Sequence, residues 1–300
     1  MSGQLTIGPI LFHWPAEKKR DFYFRIADEA PVKTVYLGEV ICSKRAPFFE
    51  QYYPEIAERL INAGKAVVFS SLSEVMIQRE RKMTAGLCEL DEFEIEANDA
   101  SALYHLRGRP HRIGQYFNTY NEKTLSRLVQ DGATHVTLPA ELPKEALTAL
   151  SHAAKEQKIK LEVQVYGRVG LALSARCYHA RAHGRVKDNC QFVCEKDLDG
   201  MLLKTLKGQA FLSVNGVQTM SYTCLNLIHE MADMQTMGIG TFRLSPHNCD
   251  MVAVSKYYQD VLDGRRAPEE ATSLIAAAGL QMPFSNGFYH GVEGYRWQLG

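Results

Sequence analysis

The feature that most constrains this fold is a regular alternation of short β-branched segments with longer helical patterns over the first 166 residues. Single helices are predicted between consecutive strands, for example over Phe48–Ala63 and from the N-cap Asn121 to Gly132. Strands separated by one helix each form βαβ crossovers, so the pattern predicts a parallel sheet. The candidate strands are Leu5–Leu11, Lys33–Leu37, Ala66–Ser70, Phe93–Ala97, His111–Gly114, Thr134–Leu138 and Ile159–Tyr166.

The alternation lapses after Tyr166 and resumes later in the chain. Residues 167–209 show no sustained period of either a strand or a helix, and they hold three of the seven cysteines. A structureless segment of this length is uncommon in a compact domain unless it is functional or disordered. The later predicted elements are a strand at Ala210–Val214, a helix near Tyr222–Met237, a strand at Thr241–Leu244 and a helix around Met251–Leu262.

The number of strands favours a closed barrel over an open sheet. Eight or nine strand candidates with interleaved helices predict an α/β fold, a (β/α)-barrel of the TIM type, with a long cysteine-bearing insert after the seventh strand. A doubly wound sheet is the alternative, because strand order cannot be read from one sequence. We expect a barrel domain over residues 1–266, including the insert 167–209, and a C-terminal helix and tail, residues 267–300, that packs on it.

Charge and composition argue against several classes of partner and location. Thirty-four Lys and Arg residues balance thirty-four Asp and Glu residues, so no net charge favours nucleic acid or an anionic membrane. No stretch approaches the roughly 20 apolar residues of a membrane span, and the N-terminal segment lacks the basic region of a signal peptide. We therefore expect a cytoplasmic chain whose seven cysteines are free for metals or catalysis.

Four of the cysteines carry the clearest functional signal. Cys177, Cys190 and Cys194 lie in the insert, and Cys42 lies far upstream. Cys42 and Cys177 each follow a predicted strand, so both lie on loops at the carboxyl ends of strands, where barrel active sites form. We therefore expect the four thiols to converge, and four is the number that a cubane iron–sulfur cluster requires.

The spacing of these cysteines does not identify a metal. Structural zinc sites also take four cysteines but favour two short pairs, and only one such pair, Cys190 with Cys194, occurs here. An iron–sulfur cluster, zinc and no metal all remain open on spacing alone, and His179 or His183 could replace a thiol. Nearby basic residues either balance a cluster's negative charge or are simply solvated. These are Lys44, Arg45, Arg176, Arg181, Arg185 and Lys187. The remaining cysteines, interpreted as small buried hydrophobes, are Cys88, Cys224 and Cys249.

Several catalytic motifs do not occur in this sequence. It contains no glycine-rich dinucleotide fingerprint, no Walker-type loop and no G-x-S-x-G nucleophile elbow. The segment HEMAD, at His229–Asp233, resembles the first half of a metallopeptidase helix, but Asp233 stands where the second zinc histidine is required. We therefore interpret this segment as a His–Glu pair on a helix surface.

Six separated motifs resemble, in the same order, those of the UbiV proteins of the collagenase-like peptidase family. They are YLGEVICSKR, FEIEANDASA, GQYFNTYN, YGRVGLALSARC, FLSVNGVQTMS and TFRLSP. The resemblance extends from about Ile7 to the region near Leu262. It implies a barrel-like protein that binds an oxygen-sensitive 4Fe-4S cluster, with ligands carried over onto Cys42, Cys177, Cys190 and Cys194.

The same resemblance implies a function together with other proteins. UbiV-type proteins pair with the paralogous UbiU, and both are needed for oxygen-independent hydroxylation of a ubiquinone precursor, with a lipid-binding accessory protein of the UbiT type. The chain would then be one subunit of a hydroxylase complex, and peptidase activity would be only a family label. The alternatives are a peptidase-like or peptide-binding barrel with a structural zinc site, and a non-catalytic scaffold whose cluster orders the insert.

Polar residues at predicted strand ends also lie within the matching motifs. They either line a pocket for a substrate or oxygen donor, or satisfy backbone groups at the barrel rim, and none receives a catalytic role. These residues are Glu39, Asn118, Asn215, Gln218, Arg243 and Ser245.

Overall fold

The computed structural model describes residues 3–299 and contains a closed barrel of parallel strands. The strands are β1 (Gln4–Ile7), β2 (Thr34–Leu37), β3 (Ala66–Ser70), β4 (Glu94–Ala97), β5 (His111–Ile113), β6 (Ala133–Leu138), β7 (Lys160–Gly167), β8 (Gly170–Leu173), β9 (Met201–Lys204), β10 (Ala210–Asn215), β11 (Gln218–Ser221), β12 (Cys224–Asn226), β13 (Thr241–Leu244) and β14 (Phe284–Ser285). Strands β1 to β7 pair in sequence order, and β13 pairs in parallel with both β1 and β7, which closes an eight-stranded barrel. The prediction of a TIM-type barrel is confirmed.

The helices cover the outside of the barrel, except for the short helix at Tyr178–Ala182, which lies in the segment between β7 and β12. They are α1 (Ala16–Glu29), α2 (Tyr53–Asn62), α3 (Gln78–Cys88), α4 (Ala100–Leu106), α5 (Glu122–Gln130), α6 (Lys144–Gln157), α7 (Tyr178–Ala182), α8 (Met231–Met237), α9 (Met251–Leu262) and α10 (Pro268–Ala278). Each of α1 to α6 connects one barrel strand to the next, and α8 leads into β13. The buried faces follow the helical period: Ile56 and Leu60 of α2, four residues apart, are both fully buried. Asn121 caps α5 as expected, because its side chain accepts a hydrogen bond from the Thr124 amide.

Four predicted elements differ from the structure. The strand predicted over Leu5–Leu11 already ends at Ile7. The helix predicted over Phe48–Ala63 begins only at Tyr53, after two short 3₁₀ turns, and has Pro54 in its first turn. The strand at Ala210–Val214 exists, but it belongs to a separate antiparallel sheet and not to the barrel. The helix predicted near Tyr222–Met237 is confined to α8. The apolar first part of the predicted segment forms the strand β12 instead, which is buried where it pairs with β7 and β14.

The segment between β7 and β12 folds into a small lobe at the carboxyl end of the barrel. Its four-stranded antiparallel sheet has the order β8–β11–β10–β9, so the stretch without a visible period contains two strands and the short helix α7. Hydrogen bonds attach the lobe to the barrel: Trp14 Nε1 donates to the Leu198 carbonyl at 2.7 Å, and Arg168 Nε donates to the Asp199 carbonyl at 2.9 Å. The lobe therefore lies against the face where barrel active sites form.

Candidate functional site

The four candidate cysteines meet in one small cavity between the barrel and the inserted lobe. Cys42, Cys177, Cys190 and Cys194 all line this cavity. Each is a free thiol; Cys194 is buried and the other three are half-buried. The structure therefore brings together residues that are separated by up to about half of the chain. We call this space the cysteine cavity.

The carboxylate of Glu39 holds the loop that carries Cys42. Its Oε1 accepts hydrogen bonds from the backbone amides of Ile41 and Cys42, both at 3.0 Å. Glu39 is buried, so these bonds replace those that the carboxylate would otherwise make with water. This polar residue at a strand end thus shapes the backbone of the first cysteine loop.

Backbone geometry directs the two insert segments toward the same cavity. Cys177 is the N-cap residue of α7, where its Sγ accepts a hydrogen bond from the Ala180 amide at 3.4 Å. Between the last two cysteines, Gln191 and Phe192 both adopt left-handed conformations, with φ of 48° and 51°. Two consecutive side-chain-bearing residues in this region are strained, and such strain persists only where the surroundings hold it. The turn brings both flanking thiols to one cavity.

A buried guanidinium forms part of the cavity wall. Arg45 Nη1 donates to the Leu11 carbonyl and Nη2 donates to Asn215 Oδ1, each at 2.9 Å. Within residues 3–299 the Nε of Arg45 has no hydrogen-bond partner. Gly216 makes this approach possible, because it has a φ of +63° and a Cβ there would lie 2.8 Å from Arg45 Nη2.

Burial and the charge of Arg45 shift the pKa values of the thiols in opposite directions. Burial raises the pKa of Cys42, Cys177 and Cys194 and is the largest influence on each, whereas the positive charge of Arg45 lowers all three. Metal-bound thiolates are anionic, so Arg45 is the cation whose position stabilises that form.

Lys44 joins the first cysteine loop to the insert. Its Nζ donates to the carbonyls of Lys187 and Asp188, at 2.7 and 3.0 Å. Both Lys44 and Lys187 line the cysteine cavity together with Arg45. The other three basic residues suggested by the sequence lie outside the cavity wall and are exposed or half-buried: Arg176, Arg181 and Arg185.

Sequence reasoning missed Lys19, which lies buried close to the cysteine loop. Its Nζ is 4.5 Å from the centroid of the Phe49 ring. Burial lowers the pKa of Lys19 to about 8, and the nearby charge of Glu39 opposes this shift. A signal was present in the sequence, because Lys19, Tyr23 and Ile26 recur at helical spacing on the buried face of α1.

His179 lines the cysteine cavity with one ring nitrogen engaged, whereas its buried Nδ1 has no hydrogen-bond partner within residues 3–299. Its Nε2 lies 2.8 Å from Asp197 Oδ2, and the ring of His183 stacks on it at a centroid distance of 5.6 Å. Burial lowers the pKa of His179. The carboxylate fixes the orientation of this ring. The three remaining cysteines lie elsewhere, in α3, in β12 and after β13: Cys88, Cys224 and Cys249.

The cysteine cavity does not have the geometry of a single-ion site. Among the residues described, no three His, Cys, Asp or Glu side chains are close enough to hold one metal ion. A tetrahedral zinc ion needs all of its ligands within about 2.0–2.3 Å of one point. In a cubane cluster each thiolate binds a different iron, so the four sulfur atoms stand farther apart. The all-thiol donor set fits such a cluster.

A second polar cluster, which we call the charged core, fills the barrel interior. Arg243 Nη2 lies 2.6 Å from Glu96 Oε1 and also pairs with Glu162, and its guanidinium lies 3.9 Å from the centroid of the Tyr36 ring. Arg112 Nη1 donates to the Tyr36 hydroxyl at 3.0 Å. All five side chains are buried. Barrel interiors are usually filled by branched apolar residues, so this composition is unusual.

The charged core reaches a narrow cleft at the carboxyl end of the barrel. Arg243 and Ser245 line this cleft with Tyr116, which also lines an adjoining pocket of about 200 Å³ beside Asn118 and Gln218. Gln218 Nε2 donates to the Tyr116 hydroxyl at 2.9 Å. Four of the six polar residues suggested by the sequence therefore lie at the barrel mouth, whereas Glu39 and Asn215 support the cysteine cavity.

The interpretation of His229 and Glu230 as a pair on a helix surface is wrong. Both residues precede α8, and Glu230 is buried. His229 Nε2 lies 2.9 Å from Thr272 Oγ1, and Glu230 Oε1 accepts a hydrogen bond from Asn286 Nδ2 at 2.7 Å. Hydrogen bonds to α10 and to the C-terminal tail therefore hold the two side chains in a turn, where they take no metallopeptidase arrangement.

Comparisons with known proteins concern the family and the fold. The family model described as Peptidase family U32 matches residues 16–299. Among solved structures, the chain is similar to a xylose isomerase-like TIM barrel protein from Mycobacterium smegmatis, at 9% identity over 92% of this chain and 97% of that chain, with a TM-score of 0.41. It is also similar to the tryptophan synthase complex from Pyrococcus furiosus, at 14% identity over 92% and 98%, with a TM-score of 0.42.

A third similar structure is an enolase from Agrobacterium radiobacter, at 12% identity, with a TM-score of 0.36. The match covers 54% of this chain and 44% of the enolase, so the chain spans less than half of that protein's length. These likenesses carry no argument about activity. Within the part of the chain that the structure describes, no helix has both the length and the apolar character to cross a membrane.

Proposed function

The chain belongs to peptidase family U32, and from that premise we propose that its four converging cysteines hold a 4Fe-4S cluster. The observation that carries the proposal is the cysteine cavity itself, where thiols from three separate chain segments line one space. Four thiolates are the ligand set of such a cluster. Cys42, Cys177, Cys190 and Cys194 are the proposed ligands.

The surroundings of the four thiols support a negatively charged group. Arg45 brings a buried positive charge and an unpartnered Nε to the cavity wall, counting partners within residues 3–299. Hydrogen-bond donors and cations near cluster sulfurs stabilise the cluster and tune its potential.

When bound, the cluster would supply one-electron transfer. The other groups contribute position and environment. Lys44 ties the first cysteine loop to the insert, Glu39 holds that loop's amides, and Phe192 contributes an apolar wall to the cavity. Limited access of water to cluster sulfurs is one of the factors that set a cluster's potential.

The finer proposal is oxygen-independent hydroxylation of a ubiquinone precursor, with a UbiU-type partner and a UbiT-type lipid-binding accessory protein. Its support is the resemblance of six ordered motifs to the UbiV proteins. The polar cleft at the barrel mouth, beside Arg243, Gln218 and Tyr116, is available to the polar part of a small substrate. In this proposal the chain is one subunit of the active complex.

The test is metal analysis of anaerobically purified protein, alone and co-expressed with a UbiU-type partner. We expect a brown protein with about four irons and four sulfides per chain. Cys177→Ala should lose most of this iron. The matched control is Cys88→Ala, which removes a buried thiol in α3. It should keep all of the iron.

Two results would contradict the cluster proposal. Colourless, iron-free protein after anaerobic reconstitution is one, and equal loss of iron from both variants is the other. One equivalent of zinc that survives aerobic purification would instead support the peptidase-like or peptide-binding alternative. A bound cluster that dithionite cannot reduce would support a scaffold in which the cluster only orders the insert.

A further inference from the structure

A β-hairpin of the inserted lobe projects into solvent at one edge of its sheet. Its strands are β9 and β10, which pair in antiparallel register, and β9 is the outermost strand in the order β8–β11–β10–β9. Every residue from 204 to 211 is exposed, so this end of the hairpin is not packed against the rest of the described chain. We call residues 201–212 the lobe hairpin.

Local hydrogen bonds hold the tip of the lobe hairpin in one shape. The Thr205 amide donates to the Gln209 carbonyl at 2.8 Å, and the Gly208 amide donates to the Thr205 carbonyl at 2.9 Å. Gly208 has a φ of +79°, the left-handed conformation that a three-residue hairpin loop requires after a type I turn. The loop therefore presents Leu206 and Lys207 at the two central positions of the turn, beyond the ends of both strands.

The lobe hairpin exposes apolar side chains that the fold does not use. Leu206 has a relative accessibility of 110%, and Phe211 and Leu202 are 58% and 43% exposed. Turn positions usually hold glycine, proline or small polar residues, so turn geometry does not explain a leucine at the tip. A single exposed leucine is ordinary, but six of the sixteen large apolar side chains exposed in residues 3–299 lie in the lobe, residues 168–223. Apolar exposure is therefore concentrated there.

The charges of the lobe hairpin are all positive. Lys204 and Lys207 flank Leu206, and both are exposed. The sequence contains no Asp or Glu between Asp199 and Glu230. Over the whole lobe, eight Lys and Arg residues stand against four Asp and Glu residues. The zero net charge of the chain therefore conceals a basic lobe.

These two properties together favour an anionic lipid surface over other partners. Apolar side chains at a tip enter the boundary between head groups and acyl chains, and each lysine near an anionic surface favours binding about fivefold. A nucleic acid would use the lysines but leave Leu206 in water. An apolar pocket on a protein would take Leu206 but would not require a segment without acidic residues. A bilayer of anionic lipids uses both properties.

We propose that the lobe hairpin docks the protein on an anionic membrane surface, with Leu206 and Phe211 in the lipid interface and Lys204 and Lys207 against the lipid phosphates. Docking of this kind is peripheral and reversible, because few apolar groups enter the bilayer. Salt weakens it, because the contribution of the lysines is screened. The site contains none of the four cysteines and does not depend on the cluster proposal.

The test is cosedimentation of the full-length protein with vesicles of phosphatidylcholine, either pure or with roughly one-third phosphatidylglycerol. We expect about tenfold tighter partitioning onto the anionic vesicles at low salt, and loss of most of this preference at about 0.5 M salt. The double variant Lys204→Gln/Lys207→Gln should lose most of the preference for anionic vesicles. Leu206→Ser should weaken partitioning onto the anionic vesicles about tenfold, because the apolar anchor is removed.

Matched controls lie in α3 and just after it, on the barrel. Lys82→Gln and Leu90→Ser also change one exposed lysine and one exposed leucine, and they should leave partitioning unchanged. Leu206→Trp adds a direct readout of insertion, because its extra fluorescence relative to wild type should shift to the blue on anionic vesicles. Circular dichroism verifies that all variants fold. Iron content should be the same in all of them, so a failure here is distinguishable from a failure of the cluster proposal.

Three outcomes would overturn the inference. The first is no partitioning onto anionic vesicles at about millimolar lipid. Combined with loss of a copurifying protein in Leu206→Ser, it would assign the tip to a protein pocket instead. The second is partitioning that Leu206→Ser leaves unchanged, which would assign the lysines to another polyanion such as a nucleic acid. The third is equal partitioning of the wild type onto neutral and anionic vesicles, which would exclude the contact between the lysines and lipid phosphates.

Discussion

The charged core of the barrel and the cysteine cavity are both polar regions inside the protein. They differ in how far their charged groups are paired with groups of opposite charge. In the charged core, two carboxylates share one guanidinium, and the neighbouring hydroxyls supply further bonds: Thr6 and Thr137 donate to Glu162 at 2.6 and 2.7 Å. In the cysteine cavity, four thiols face one guanidinium, and no carboxylate of the described residues lines the space. The Nε atoms of Arg45 and Arg243 are alike in having no partner within residues 3–299, so the contrast lies in the paired charges. The first region satisfies most of its groups internally, and the second does not.

This difference indicates which region is built to receive something. A buried ion network that is already paired contributes rigidity, and removing one member is costly because the others stay charged. A set of one buried and three half-buried thiols has little internal bonding to lose, and its order depends on what the thiols bind. The comparison therefore predicts large effects in the charged core that do not depend on metal, and smaller effects at the cysteine cavity that do.

The largest effect is expected from Arg243→Met. It leaves the carboxylates of Glu96 and Glu162 buried without their shared cation, which costs about 3–5 kcal/mol of unfolding free energy. Urea unfolding at neutral pH measures the loss, with and without iron. Arg265→Met is the matched control, because Arg265 also pairs with two carboxylates, Asp260 and Asp263, but lies at the surface. The control should change stability little. An equal loss of unfolding free energy in the two variants would contradict the view that the buried carboxylates depend on Arg243.

The next largest effect concerns Glu162 and its pH dependence. Arg243 and the hydroxyls of Thr6 and Thr137 hold the pKa of this carboxyl below its ordinary value of 4.5, even though burial acts to raise it. Its stabilising contribution is therefore present above the ordinary pKa and is lost as the pH falls through the lower folded-state value. Glu162→Gln should cost about 1.5–3 kcal/mol at neutral pH, the range for a charged hydrogen bond.

Urea unfolding between pH 7 and pH 3 checks this prediction. The stability difference between wild type and Glu162→Gln should narrow as the solution becomes more acidic. A difference that stays constant over this range would mean that the carboxyl is not ionised in the folded protein.

A smaller and conditional effect is expected from Arg45→Met. In iron-free protein this variant loses hydrogen bonds to the Leu11 carbonyl and to Asn215, which costs about 1–2 kcal/mol. In iron-loaded protein the cost should be larger, because the thiolates then lose their nearest buried cation. The measurement is the half-life of iron retention in air together with urea unfolding of both forms. An identical loss of unfolding free energy in the iron-free and iron-loaded forms would show that Arg45 does not stabilise the cluster.

The sequence predicted the barrel because its signal is local and repeated. Each strand–helix unit carries its own period and end signals, such as the Asn121 cap, and eight such units close in only a few ways. The small sheet of the insert escaped prediction because its strands are half-exposed and as short as four residues. Strand β12 escaped because pairing with β7 and β14, and not local propensity, decides its conformation.

The candidate site was likewise predicted only in part, because some of its contacts depend on tertiary structure. The topology of strand ends was sufficient to expect Cys42 near the insert cysteines. By contrast, the carboxylates of Glu96 and Glu162 were missed, because a charged residue inside a strand suggests a solvent-facing position. In β4 the alternation of glutamate with apolar residues was visible in the sequence. Which face of the strand points inward depends, however, on closure of the barrel. The Arg45 contact with Asn215 depends on the insert's fold, which the sequence pattern did not reveal.

The smallest effect is expected from Lys44→Met. Lys44 is half-buried, and within residues 3–299 its Nζ bonds only to the carbonyls of Lys187 and Asp188, so its loss should cost less than about 1 kcal/mol in unfolding free energy. Amide hydrogen exchange should still detect it. Exchange should rise in residues 186–194, because one tether between the first cysteine loop and the insert is gone, while the strands of the barrel stay unchanged. Loading with iron should suppress this difference, since the proposed ligands Cys42 and Cys190 bridge the same two segments. A rise that persists in iron-loaded protein would show that the cysteines do not connect the loop to the insert.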